Sequence, residues 1–311
     1  MIVVLCIISL LSVALGCYQE FIPPCSCRSF NSLTLEITCK DATDIEQLQV
    51  SLHKFQNSPI RTLYIINSSL QYLPSTIFSS FNIERLHFVN CTFNALTDSD
   101  VAFVGLEKSL KNLTVEESTI YSGWNWKHLK KLTGLMEIRT VKAGLDEIDW
   151  DIADISLLNL LSLQLMQDSI SYIDDWAFAR FKALKVFSLK NNLIPEVKRS
   201  MFPDPATNLI QINLSQNKIE ELPLDIFTNM PNLVSILLAE NSIVTIDMKT
   251  FAPVWSQLYK IDLLDNPLRC DCRLKWLMDR KFPENTRAEC REPLKLNGTR
   301  IIKLHPDDLW C

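Results

Sequence analysis

Hydrophobic residues recur along this chain with a period of about 24 residues. Each unit has apolar side chains at positions 1, 4, 6 and 11 and a small or polar side chain at position 9. The units begin at Ile60, Ile83, Leu110, Leu135, Leu160, Leu184, Leu209, Leu233 and Leu258. Their starts are separated by 23, 27, 25, 25, 24, 25, 24 and 25 residues, a spacing typical of solenoid proteins.

The spacing within a unit predicts a strand. Positions 4 and 6 are two residues apart, so in a strand they share one face, and positions 3, 5 and 7 share the other. One such strand cannot bury its apolar face alone, so stacked units predict a parallel sheet backed by a continuous core. Position 11 closes the corner after the strand.

Position 9 lies at the turn, where an Asn side chain can bond backbone groups that would be costly to bury unpaired. The last four units have Asn192, Asn217, Asn241 and Asn266, and the first five have Ser68, Cys91, Ser118, Ala143 and Asp168. We therefore expect the N-terminal half to be less regular than the C-terminal half.

A second apolar stripe precedes many of the strands and is interpreted as a buried phenylalanine spine. It consists of Phe78, Phe103, Phe178, Phe202, Phe227 and Phe251. The unit between Ile120 and Leu135 lacks this phenylalanine and has Trp124 and Trp126 instead. That segment is the predicted place for a local bulge or an exposed patch.

The repeat resembles the leucine-rich-repeat family, whose consensus is L-x-x-L-x-L-x-x-N/C-x-L. The resemblance covers residues 60–268. It implies an α/β-type solenoid, a horseshoe of nine repeats with a parallel sheet on its concave face and disulfide caps at both ends. The N-terminal Pro23-Pro24-Cys25-Ser26-Cys27 is similar in style to the caps of secreted invertebrate members of the family, including non-catalytic subunits.

Residues 1–16 are predicted to be a signal peptide, which makes the protein secreted and extracellular. They have no charged side chain, and Ala14-Leu15-Gly16 supplies small residues for cleavage. Two alternatives are a transmembrane anchor, which needs roughly 20 apolar residues, and a bacterial lipobox before Cys17. No later stretch is long and apolar enough to span a membrane.

Eight cysteines form two clusters of four, residues 17–39 and 270–311. Behind a signal peptide such clusters favour disulfides, and the C-x-C spacing argues against the C-x2-4-C pairs of structural zinc. Spacing alone leaves three connectivities open in each cluster. The family resemblance implies the pairs Cys17–Cys27, Cys25–Cys39, Cys270–Cys290 and Cys272–Cys311.

The resemblance also suggests a division of the chain at the two cysteine clusters. Its parts are the signal peptide 1–16, an N-terminal cap 17–59, the repeats 60–268 and a C-terminal cap 269–311. A short helix with Leu274, Trp276 and Leu277 is expected to cover the end of the core. The remaining Cys91 is interpreted as a buried position-9 thiol, with an intermolecular disulfide as the alternative.

Sequons for N-glycosylation occur at Asn67, Asn90, Asn112, Asn213 and Asn297. Asn112 and Asn213 fall at positions 3 and 5, so glycans there would obstruct much of the concave face. Two apolar groups are expected on that face. One contains Val234, Leu237, Tyr259 and Leu264. The other, favoured as the partner-binding site because Tyr and Arg are common at hot spots, contains Tyr64, Ile66, Arg85, His87 and Val89.

The chemistry of the chain points to binding rather than catalysis. The net charge of −5 argues against a nucleic-acid partner. The four histidines are scattered, no catalytic motif occurs, and we expect no cofactor and no metal. The predicted function is that of a secreted, non-catalytic binding protein for another extracellular protein, such as an accessory subunit, with a homodimer also open. The alternatives are a receptor ectodomain and an extracellular-matrix structural protein.

Overall fold

The structure is a computed structural model that describes residues 22–30 and 34–311. Its strands in chain order are β1 (Cys25–Ser29), β2 (Leu35–Lys40), β3 (Pro59–Ile66), β4 (Ser69–Leu70), β5 (Asn82–Val89), β6 (Thr92–Phe93), β7 (Asn112–Glu116), β8 (Thr119–Ile120), β9 (Glu137–Val141), β10 (Glu147–Ile148), β11 (Ser162–Met166), β12 (Tyr172–Ile173), β13 (Val186–Ser188), β14 (Gln211–Asn213), β15 (Ser235–Leu237), β16 (Lys260–Asp262) and β17 (Asn285–Arg287).

Helices are few and short in the described part of the chain. The α-helices are α1 (Ile45–His53) and α2 (Met248–Trp255). The 3-10 helices are Trp126–Leu129, Trp150–Ile155, Arg199–Met201, Cys272–Leu277, Leu294–Leu296, Ile301–Lys303 and Pro306–Asp308. The convex side of the solenoid is therefore built mostly from turns and single helical turns. Within residues 22–30 and 34–311, no helix has the length and apolar character needed to cross a bilayer.

Twelve strands form one sheet in the order β1-β2-β3-β5-β7-β9-β11-β13-β14-β15-β16-β17. Only β1 and β2 pair antiparallel, and every later pair is parallel. In β3, Leu63 and Ile65 are fully buried and Tyr64 between them is half-buried, as the two-residue period predicts. The six phenylalanines of the predicted spine are all buried in the same continuous core.

Position 8 has a left-handed backbone in every repeat. The residues are Asn67, Asn90, Glu117, Lys142, Gln167, Asn191, Gln216, Glu240 and Asp265, with φ between 48° and 60°. From Asn67 to Glu240, each position-8 N–H donates to the position-7 carbonyl of the following repeat, as in Asn67 N to Val89 O at 2.9 Å. This turn takes the chain out of the sheet while keeping its backbone bonded to the next coil.

The side chains of the position-9 asparagines bond in the opposite direction, to backbone groups of the preceding repeat, and together form a ladder along the solenoid. Asn217 Oδ1 accepts a hydrogen bond from the N–H of Ile194 in the preceding repeat at 3.1 Å. Its Nδ2 donates to the carbonyls of Leu189 and Leu214, both at 2.9 Å. Asn192, Asn241 and Asn266 make equivalent bonds. Buried backbone groups at the turn are thus satisfied by side chains.

The N-terminal half is less uniform than the C-terminal half, as expected, although its strands are longer rather than shorter. β3 and β5 have eight residues each, whereas β13 to β16 have three. The β-branched and aromatic residues of β3 and β5 favour extended backbone. Without Asn, the turn bonds by other means: Cys91 N–H donates to Ser118 Oγ at 2.9 Å, and β4, β6 and β8 add a second small sheet.

In the segment of the predicted bulge or exposed patch, Tyr121 is exposed, but the two tryptophans pack inward. Trp126 is buried and replaces the missing phenylalanine, and Trp124 stacks on it with ring centroids 5.4 Å apart. Trp124 Nε1 donates to the carbonyl of Ala143 at 3.1 Å. The two indoles therefore fill the core at the repeat where position 9 is an alanine.

Both ends of the solenoid are covered by disulfide-bonded caps. The bridges Cys25–Cys39, Cys270–Cys290 and Cys272–Cys311 are among the pairs that the family resemblance implied. Cys27 is disulfide-bonded as well, whereas Cys17 and the predicted signal peptide lie outside the described residues. In the C-terminal cap, Leu274 and Leu277 are buried against the last repeat, and Trp276 Nε1 donates to Ile246 O at 3.0 Å.

Cys91 is a buried free thiol. Its Sγ lies 3.2 Å from the carbonyl oxygen of Ile65, and burial raises the pKa of the thiol. Both features keep it protonated and enclosed, which fits the interpretation as a position-9 core residue rather than an intermolecular bridge.

Asp168 is the one carboxylate at position 9, and it forms a buried pair with Thr140. Thr140 Oγ1 donates to Asp168 Oδ2 at 2.5 Å, and Ala143 N–H donates to Oδ1. Burial raises the pKa of Asp168, although these hydrogen bonds oppose the effect. The pKa of Asp168 is therefore higher in the folded protein than in the unfolded chain, where it is about 3.9. The protonated carboxyl group contributes stability at low pH, and this contribution is lost as the pH rises through the unfolded pKa and then the folded pKa.

We predict that Asp168→Asn stabilises the protein at neutral pH by about 1 kcal/mol, because a neutral amide avoids burying charge and restores the ladder. Urea unfolding at pH 7 and pH 4 tests this, with the gain larger at pH 7. The reciprocal control is Asn192→Asp, which should destabilise the protein at pH 7. A destabilised Asp168→Asn variant at pH 7 would contradict the reasoning.

Candidate protein-binding face

The five residues predicted to bind a partner come together on β3 and β5. Parallel pairing sets Tyr64 beside His87 and Ile66 beside Val89, with Arg85 at the start of the same face. The rings of Tyr64 and His87 are in contact, with centroids 4.8 Å apart. All five side chains are half-buried, so the strands hold them while one side stays open to solvent. We call these residues the N-terminal concave patch.

Two polar groups within this patch are distinctive. Burial lowers the pKa of His87, and Arg85 lowers it further, while Glu116 and Glu137 act in the opposite direction. The imidazole is thus neutral at pH 7 and packs as an aromatic ring. Arg85 Nε is buried without a hydrogen-bond partner and lies 3.9 Å from Glu84 Oε1. The Arg85 side chain as a whole is 41% exposed, so a partner carboxylate could pair with its guanidinium.

The middle of the concave face is tied together by its own polar side chains. Asn112 Nδ2 donates to Glu137 Oε2 at 2.6 Å, and Gln164 Nε2 donates to Glu137 Oε1 at 3.1 Å. Arg139 completes the chain of bonds by donating to Gln164 Oε1 at 3.3 Å and Glu116 Oε1 at 3.4 Å. The sequence analysis missed this network, although the alternating Glu, Arg and Gln at positions 3, 5 and 7 were a signal for it.

The C-terminal end of the concave face differs from both other regions in the side chains that it exposes. The cap contributes β17 as the twelfth strand, which sequence analysis did not find, and Arg287 from it donates to Asp262 at 2.8 Å. Of the second predicted apolar group, Tyr259 is exposed and Leu237 is half-buried. Val234 and Leu264 are half-buried as well, so this end combines an ion pair with partly exposed apolar side chains.

The sequons fall into two structural classes. Asn67, Asn90 and Asn297 are exposed, and Asn67 and Asn90 lie at the left-handed turn, where Asn90 Nδ2 donates to Asn67 Oδ1 at 2.9 Å. Asn112 and Asn213 are half-buried on the concave face. The amide nitrogen of Asn112 is engaged with Glu137, whereas Asn213 Oδ1 accepts from Ser215 N–H at 3.1 Å.

The stacked parallel strands and the uniform turn form a leucine-rich-repeat solenoid, and the leucine rich repeat family model matches residues 207–268. It is 22% identical to the Oplophorus-luciferin 2-monooxygenase non-catalytic subunit of Oplophorus gracilirostris, over 92% of this chain and 85% of that protein. It is 24% identical to the leucine-rich repeat transmembrane protein FLRT2 of Rattus norvegicus, over 74% of this chain and 34% of that protein. For lumican of Homo sapiens the identity is 27%, over 70% of this chain and 64% of that protein. The chain is a protein-interaction solenoid, and its likeness to a non-catalytic subunit and to the leucine rich repeat model favours a non-enzyme.

We predict that the stability of the protein falls as pH drops below the ordinary histidine pKa of 6.5, because the folded pKa of His87 is lowered and the native state binds fewer protons than the unfolded state. His87→Gln should flatten the decline in melting temperature between about pH 7 and pH 5. The pKa of His128 is lowered by burial too, so some slope should persist. Exposed His53→Gln is the control, and an equal flattening there would contradict the assignment to His87.

Proposed function

We propose that this protein is a secreted accessory subunit that binds another extracellular protein through its N-terminal concave patch. The observation that carries the proposal is that the middle of the concave face is already occupied by its own hydrogen bonds. Covering the Asn112–Glu137–Gln164–Arg139 network would mean desolvating groups that are already paired. The N-terminal concave patch instead offers apolar surface and the 41% exposed side chain of Arg85, whose contact with Glu84 is long at 3.9 Å.

The likeness to a non-catalytic subunit over nearly the whole chain supports the accessory role. Secretion is supported by the apolar leader and by disulfides at both ends, which form in oxidising compartments. The division into residues 1–16, 17–59, 60–268 and 269–311, the Cys17–Cys27 bridge and glycosylation at all five sequons belong to the same proposal. Glycans on Asn112 or Asn213 would restrict a partner to the first two repeats, where the N-terminal concave patch lies.

We expect Tyr64→Ala/His87→Ala to weaken partner binding about tenfold or more, because an aromatic pair at a hot spot is lost. The full chain is immobilised, the partner is captured from extracellular fluid and identified, and its affinity is measured for each variant. Tyr259→Ala is the matched control, because it removes an exposed aromatic from the other end of the sheet.

Equal losses for the two variants would reject the N-terminal concave patch as the binding site. Sedimentation of the chain without a partner measures its oligomeric state and tests the homodimer alternative. A dimer that Tyr64→Ala/His87→Ala converts to monomer would replace the hetero-partner with a second copy. Membrane-bound recovery of the native protein would favour the receptor alternative, to which the likeness to transmembrane FLRT2 points.

We predict that expression of the full chain in eukaryotic cells releases into the medium a protein that begins at Cys17 and loses mass on enzymatic removal of N-glycans. The turn sites Asn67, Asn90 and Asn297 should have the highest occupancy, since their side chains are exposed. Mass spectrometry of the peptides measures this at each site. Retention of residues 1–16 or an unchanged mass would contradict the secretory assignment.

A further inference from the structure

Three large aromatic side chains are exposed on the edge of the fourth and fifth repeats, away from the concave face. Trp150, Tyr172 and Trp176 are 67%, 51% and 68% exposed. By contrast, Trp126 and Trp255 are buried in the core. Indoles left in water on a folded chain are unfavourable unless something covers them, and adjacent exposed aromatics mark interaction sites.

The backbone sets these residues side by side. In the small sheet of β10 and β12, Glu147 pairs with Tyr172. Immediately after it, Asp174 N–H donates to the carbonyl of Ile148 at 2.8 Å. Trp150 comes two residues after Ile148, and Trp176 comes two residues after Asp174. The two tryptophans therefore occupy equivalent places on neighbouring coils. We call Trp150, Tyr172 and Trp176 the aromatic edge patch.

The charge around the aromatic edge patch has one sign. Residues 143–179 contain eight acidic residues and no Lys, Arg or His. Among the described residues, Asp146, Glu147, Asp149 and Asp174 take part in no salt bridge, and only Asp175 is paired, with Lys198 at 2.7 Å. The chain as a whole is only mildly acidic, so this segment concentrates uncompensated negative charge.

Asp174 Oδ1 accepts a hydrogen bond from Trp176 N–H at 3.1 Å, but other carboxylates of this segment have no such role in the fold. Asp149 precedes the 3-10 helix Trp150–Ile155, yet its side chain makes no capping hydrogen bond. Asp154 Oδ2 is buried without a hydrogen-bond partner. Burial raises the pKa of Asp151, and the carboxylates of Asp149 and Asp154 raise it further, while Lys127 opposes them only in part. A cation brought to this edge would relieve that repulsion.

We propose that the aromatic edge patch is a second docking surface, which takes an arginine- and lysine-rich segment of a partner protein. Indole and phenol faces attract guanidinium and ammonium groups, and the surrounding carboxylates supply the opposite charge. The same negative field repels nucleic acids and acidic proteins. This inference is independent of the N-terminal concave patch, which lies on β3 and β5.

The test uses the full secreted chain and nona-arginine as the probe in about 0.15 M salt, where exposed charge effects are screened. Tryptophan fluorescence and calorimetry should show saturable binding of nona-arginine and none of nona-glutamate. Trp150→Leu/Trp176→Leu keeps apolar bulk, removes the π faces and should weaken binding about tenfold or more. Thermal melting shows whether the variant remains folded.

The matched control is Trp310→Leu, because Trp310 is also exposed and follows two aspartates, Asp307 and Asp308. It should leave the affinity within about twofold of the unchanged chain. Asp149→Asn/Asp174→Asn should weaken binding and reduce its salt dependence.

Absence of saturable binding, or equal losses for the Trp310 and the Trp150/Trp176 variants, would overturn the proposal. The proposal would also be overturned if Asp149→Asn/Asp174→Asn lost affinity for nona-arginine while Trp150→Leu/Trp176→Leu kept full affinity, because charge alone would then explain the binding. A solution dimer that the tryptophan variant converts to monomer would assign the patch to a second copy and overturn the cationic partner.

Discussion

The turn that follows each strand is the constraint on which the rest of this structure depends. At position 8 the backbone enters the left-handed region in all nine repeats, although no glycine is present there. Such a conformation is unfavourable for most side chains, so it persists only where hydrogen bonds hold it. From Asn67 to Glu240 the position-8 N–H bonds forward to the next repeat, and every position-9 side chain except that of Ala143 bonds backward to the preceding coil. Neighbouring repeats therefore fix each other's turns, as expected for a solenoid whose units contact only their neighbours.

Because the turn and the core are repeated, the outward side chains are free to differ from one part of the solenoid to another. The first two repeats have long strands with apolar and aromatic side chains at positions 5 and 7. The next three repeats are crosslinked on the concave side by Glu116, Glu137, Arg139 and Gln164. A solenoid can change the character of its surface within one repeat, because each coil contacts only its neighbours. That is why neighbouring coils here differ in hydrophobicity without any break in the sheet.

The fold was predictable from the sequence because its determinants are periodic. Leucine spacing specifies which face is buried, and the asparagines mark the turn, so strands, core and phenylalanine spine follow directly. What could not be predicted depends on compensation between non-identical residues. No local sequence pattern shows that Trp124 donates a hydrogen bond to the carbonyl of Ala143, or that Thr140 donates one to Asp168. Strand length follows β-branched composition rather than the presence of Asn, so the longer strands of the N-terminal half could not be predicted from position 9.

The candidate binding face was predictable only in part, for a physical reason. Sequence register assigns Tyr64, Ile66, Arg85, His87 and Val89 to one face, and the structure brings them together. Whether a polar residue on that face is available to a partner depends on whether its neighbour already bonds it, which register alone does not reveal. Asn112 and Glu137 bond to each other across two strands, whereas the Arg85 side chain is 41% exposed and has only a 3.9 Å contact with Glu84. Availability, rather than residue type, therefore separates the N-terminal concave patch from the rest of the sheet. The same criterion separates the unpaired carboxylates beside Trp150 from Asp175, which Lys198 neutralises.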